Sequence, residues 1–137
     1  MKKLAIVIYL FAAGSLLLVI GTAILFAPNA FHGNNGIALG SNPNLLSEIR
    51  APGALLAASG ILILMGVFRN DMRSRAAQIS VLVYGSFGIA RVVSIALDGM
   101  PSSSLIGAMA LEFTFAIFGL AVLSGGRSST LRPVYKS

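Results

Sequence analysis

Four apolar runs, at about residues 4–27, 46–68, 76–97 and 104–123, decide what this chain can fold into. Each is close to the roughly 20 residues that an α-helix needs to cross about 30 Å of hydrocarbon. Lipid offers no water to backbone N–H and C=O groups, so runs of this length satisfy them internally, as helices. Together the runs take up most of the 137 residues and leave no stretch for a soluble domain. Composition agrees, with 56% apolar and only 10% charged residues, where soluble domains carry near a quarter charged. The expected fold is all-α: a polytopic membrane protein of one domain, residues 1–137, built as a four-transmembrane-helix bundle.

The first run follows Lys2 and Lys3 but exceeds the 7–15 apolar residues of a secretion signal core, and no convincing small-x-small site follows it. It is expected to remain as span 1. The net charge of +6 would suit nucleic acid, but its distribution argues for topology instead. Lys2 and Lys3 precede span 1, Arg69, Arg73 and Arg75 lie between spans 2 and 3, and Arg127, Arg132 and Lys136 follow span 4. The other two connections hold no Lys or Arg, which is the positive-inside pattern. It puts both termini and the 69–75 loop in the cytoplasm of a bacterial inner membrane. No nucleic-acid partner is expected; anionic lipid is.

With no cysteine, the chain has no disulfide, thiolate metal site or dithiol redox chemistry. A lone histidine, His32, makes no metal site by itself and reads as a loop residue at the membrane face. No cofactor is expected.

Gly14 and Gly21 in span 1, and Gly53, Ala57 and Gly60 in span 2, form small-residue stripes suited to close helix packing. Ser86, Ala90 and Ser94 form another on span 3. The long connection of about residues 28–45, rich in Gly and Asn, is expected to cap the outer helix ends. Span 2 opens with Asn44 or Ser47 as N-cap and runs through Pro52, which would kink it; a helix that starts at Ala51 would span only about 27 Å. The tail from Gly125 onward is polar and basic.

Charged residues inside the spans are the strongest functional signal. Arg91 lies seven residues before Asp98, about 10 Å below the outer end of span 3, and Glu112 lies eight residues after Ser104, about 12 Å below the start of span 4. Antiparallel neighbours thus carry opposite charges at one depth. A charge at a helix centre costs about 2.5–3.5 kcal/mol on insertion scales, so the two should face inward and pair. Glu48 and Arg50 on span 2 are expected to turn inward at Pro52 and close the network. Tyr84, Arg91 and Asp98, seven apart, share one side of span 3. The expected ligand- or partner-binding pocket is therefore lined by Glu48, Arg50, Arg91, Glu112, Tyr84 and Asp98.

Glu48-Ile49-Arg50-Ala51-x-Gly53 and Arg91-Val92-Val93-Ser94-Ile95-Ala96-Leu97-Asp98-Gly99-x-Pro101 resemble a bacterial domain-of-unknown-function family of four-span membrane proteins, itself similar to DoxX-like proteins. The resemblance implies a four-span helical bundle with the acid and arginine of span 2 and the arginine of span 3 as hallmarks. It implies no activity. Without a nucleophile constellation, metal set or nucleotide loop, the leading expectation is a non-enzymatic accessory, assembly or stabilising subunit of a larger membrane complex, or a homo-oligomer. The alternative is a carrier that binds a small molecule or lipid in the charged pocket. An enzyme using Glu48 or Glu112 as acid/base ranks last, because arginines beside both acids would hold them in ion pairs.

Overall fold

The computed structural model describes residues 3–127. Lys2, Arg132 and Lys136, read above as topological signals, lie outside the described residues. Four long helices are each apolar and long enough to cross a membrane: α1 (Lys3–Phe26), α3 (Pro43–Phe68), α4 (Arg73–Asp98) and α5 (Ser103–Arg127). A six-residue helix, α2 (Pro28–Gly33), interrupts the first connection, and a 3-10 turn at Asn70–Met72 joins α3 to α4. There is no strand among the described residues. The chain is an all-α four-helix bundle. Its basic end carries Lys3, Arg69, Arg73 and Arg75, and the α1–α3 and α4–α5 connections lie at the far end.

Two antiparallel pairs make up the bundle, α1 with α3 and α4 with α5, joined mainly where α3 meets α4. The first pair is set by glycines seven residues apart on both helices. A Cβ on Gly60 would stand 2.7 Å from the Gly14 carbonyl oxygen, and one on Gly21 would stand 2.6 Å from that of Gly53. Only hydrogen fits there, so the backbones pack directly. Where lipid tails surround the helices, this packing replaces the hydrophobic effect as the associating force.

The half of the bundle toward the basic end is closely filled. Leu10, Ala13, Ile63, Ala77 and Ser80 have no appreciable exposure. Large side chains such as Leu4, Phe11, Leu82 and Ile117 point outward, which suits helices apolar enough to cross a membrane.

α3 starts earlier than the sequence reading placed it. Asn42, not Asn44 or Ser47, is the N-cap: its Oδ1 accepts from the backbone N–H of Asn44 at 2.9 Å and of Leu45 at 3.4 Å. Pro43 explains the shift, since its fixed φ and missing N–H suit the first helical position. The helix then continues through Pro52.

Candidate functional site

A cavity of about 380 Å³ lies in the far half of the bundle, above the packed half. Leu17, Ile20 and Ile24 of α1 and Leu56 of α3 form one wall. Val83, Phe87 and Arg91 of α4 face Leu105, Ala108 and Glu112 of α5 across it. Phe31, His32 and Asn35 cover it from the first connection. The lining is mostly hydrocarbon with a few polar groups, the usual composition of a small-molecule site.

The charged level is the Arg91–Glu112 pair. Arg91 Nε donates to both carboxylate oxygens of Glu112, at 2.9 Å each. α4 and α5 run antiparallel, and the two residues meet at one depth as the residue count requires. Glu112 is well covered, its side chain 11% exposed, whereas that of Arg91 is 29% exposed. A carboxylate so shielded needs its partner, because an ion alone in a low-dielectric interior is far costlier than a pair.

Tyr84 lies beneath this pair. Its hydroxyl donates to the Ala13 carbonyl at 2.8 Å, and its ring stacks on Phe115 with centroids 4.7 Å apart. One layer further down, Tyr9 donates to the Phe115 carbonyl at 2.9 Å, which leaves its oxygen to accept from the Ser80 hydroxyl at 2.7 Å. The two phenols tie α1 to α4 and α5 and close the cavity toward the basic end. Sequence reading missed the Tyr9–Ser80 contact. Its signal was a tyrosine within an apolar helix, whose hydroxyl must find a partner.

Glu48, Arg50 and Asp98 do not join the charged level. The inward face of α3 is the line Gly53, Leu56, Gly60 and Ile63, continued backward by the half-buried Ile49. Glu48 and Arg50 flank Ile49 at about 100° to either side, so neither reaches the centre and both are exposed. Arg50 turns toward α1, where its Nε donates to the Leu25 carbonyl at 3.1 Å. There it borders a separate open groove of about 510 Å³ with Ser41, Leu46 and Ser47. Asp98 stays at the rim, where its carboxylate accepts from the Ser94 hydroxyl at 3.2 Å. The expectation of a four-charge network is thereby corrected to one ion pair above a tyrosine.

His32 is also placed differently. α2 turns it toward the cavity, where its Nε2 is buried without a hydrogen-bond partner among the described residues. The first connection does form a cap, as its length suggested. Asn35 Oδ1 accepts from the Ser104 hydroxyl at 2.8 Å, fastening the cap to the start of α5, and Phe31 packs onto the core. Gly36 (φ 74°) and Gly40 (φ 69°) make its turns. Among the described residues no group of three His, Cys, Asp or Glu side chains is placed to hold a metal ion.

A family model described as a domain of unknown function (DUF4345) matches residues 5–123, and the chain belongs to that family. The matched range runs from the first turn of α1 to near the end of α5 and takes in the cap and the Arg91–Glu112 pair. No curated protein and no solved structure matches the chain.

Proposed function

We propose that this DUF4345 member is a non-enzymatic binding protein that holds a small lipophilic molecule in the far half of its bundle. In this reading it is a DoxX-like protein of a bacterial inner membrane, with its basic end in the cytoplasm and the cavity toward the outer leaflet. The observation that carries the reading is a partly open cavity of about 380 Å³, lined by residues of all four long helices and of a latched cap, with an ion pair in its wall. That volume falls in the range of about 300–1,000 Å³ for small-molecule sites. A structural ion pair needs no empty space beside it. A binding site does.

Native mass spectrometry of protein released gently from its own membrane tests the reading. Wild type should carry one recurrent small adduct, and Ala108→Phe, which fills the cavity from α5, should fold normally and lack it. An adduct retained at full occupancy by Ala108→Phe would refute it.

The accessory-subunit reading keeps one observation of its own. Ser86, Ala90 and Ser94 are all exposed on one face of α4, a surface on which another helix could pack closely. A stoichiometric protein partner in the same spectra, with no small adduct, would favour it.

A further inference from the structure

The polar groups of the cavity specify more than its existence. Arg91 spends only Nε on Glu112, and among the described residues neither of its terminal nitrogens has a hydrogen-bond partner. Those nitrogens carry four N–H donors, and Arg91 lines the cavity. Each Glu112 oxygen already has Arg91 Nε as a partner, and Asn35 Oδ1 has Ser104. The cavity groups left wholly without a partner among the described residues are His32 Nε2 and the terminal nitrogens of Arg91, so most of them are donors. The charge, in contrast, is balanced, one guanidinium against one carboxylate.

We propose that the cavity selects a neutral lipophile headed by a carbonyl oxygen, which accepts hydrogen bonds from the terminal nitrogens of Arg91 while its hydrocarbon part fills the apolar remainder. This deepens the binding-protein reading and rests on it. An anionic head would add a charge that the balanced pair does not compensate, and a cationic head would compete with Arg91 for a carboxylate already engaged. A plain alkane would leave the guanidinium donors unmet. Glu112 acts as a positioning residue: it holds Nε, which leaves the terminal nitrogens for a ligand, and it cancels the charge that would otherwise recruit anions.

The test is a competition in lipid nanodiscs with four probes of similar chain length: 2-tridecanone, tridecane, dodecyl phosphate and dodecyltrimethylammonium. Bound probe is read by native mass spectrometry and corrected for partitioning into empty discs. A hydrogen bond to a charged group is worth about 1.5–3 kcal/mol, so the ketone should exceed tridecane by about tenfold or more, and it should also exceed the two charged probes, whose head groups bring an uncompensated charge into the cavity. In Glu112→Gln the uncompensated Arg91 should reverse the order and favour dodecyl phosphate over the ketone. In the double variant Arg91→Gln/Glu112→Gln the ketone should lose its advantage over tridecane. Equal or tighter wild-type binding of dodecyl phosphate, the ammonium probe or tridecane overturns the carbonyl assignment and leaves the cavity reading standing. Binding of none of the four, with the protein folded, overturns the cavity reading as well.

Discussion

The glycine seam between α1 and α3 makes an opposed pair of predictions about helix stability. A Cβ on Gly21 would meet backbone only: the Gly53 carbonyl oxygen at 2.6 Å, the Ala57 Cα at 2.9 Å, and the Ala57 nitrogen nearer still. No rotamer change relieves a clash between backbones, so Gly21→Ala forces the two helices apart. Overpacking of this kind costs about 1–3 kcal/mol, and three simultaneous backbone contacts place Gly21 in the upper half of that range. Alanine returns about 1 kcal/mol of helix propensity, so the net loss should be about 1–2 kcal/mol. Gly107 in α5 is the control, with nothing within 4 Å of its ideal Cβ. There the propensity term acts alone, and Gly107→Ala should gain about 0.5–1 kcal/mol. Reversible unfolding in bicelles measures both. If Gly21→Ala were as stable as Gly107→Ala, direct backbone packing would not be what joins α1 to α3. The consequence reaches the site, because Leu17, Ile20 and Ile24 extend from the same helix into the cavity wall.

Other perturbations separate the remaining contacts. Tyr9→Phe should destabilise by about 1–3 kcal/mol, because it leaves the buried Ser80 hydroxyl without its partner, whereas Tyr84→Phe should lose only about 1 kcal/mol, since the Ala13 carbonyl is also a helix acceptor; unfolding measurements that reverse this order would contradict the hydrogen-bond assignment. Arg91→Met or Glu112→Met alone should destabilise more than the double variant, since removing one partner leaves a lone charge; the single-variant loss should stay below the about 3–5 kcal/mol of a fully buried pair because Arg91 is part-exposed. Asn35→Ala should raise hydrogen exchange across residues 28–42 and leave α4 unchanged, and unchanged exchange in the cap would show that the Ser104 contact does not fasten it. Glu48→Gln should shift stability by no more than about 0.5 kcal/mol and leave probe binding intact, as expected for an exposed side chain outside the cavity.

The long elements were legible because lipid leaves little choice. Length and apolarity decide each span, and the residue count put Arg91 and Glu112 at one depth. Helical spacing likewise marked Gly14, Gly21, Gly53 and Gly60 as packing positions, though not which helices they join. Local geometry explains the misreadings. Glu48 and Arg50 are two residues apart, so on a helix they point to opposite sides, and Pro52 cannot turn both inward. The line Gly53, Leu56, Gly60 and Ile63 already showed which side was in. Pro43 stands in a stretch rich in Gly and Asn that has the composition of a loop, which hides Asn42 as the N-cap. The six residues of α2 are too few to show periodicity, so the turn that brings His32 and Phe31 over the cavity left no pattern in the sequence. Nor could composition show empty space, which depends on how four faces fit together.

Photo-cross-linking in native membranes tests the occupied cavity most directly. A diazirine amino acid replacing Phe87 would report what fills the space between α4 and the cap, and one replacing Leu97, which is 78% exposed, would report the surrounding lipid. An occupied cavity should give one discrete adduct mass from position 87, absent from position 97, where a ladder of bulk membrane lipids should appear. The same ladder at both positions, or no adduct at position 87 while position 97 labels well, would contradict it.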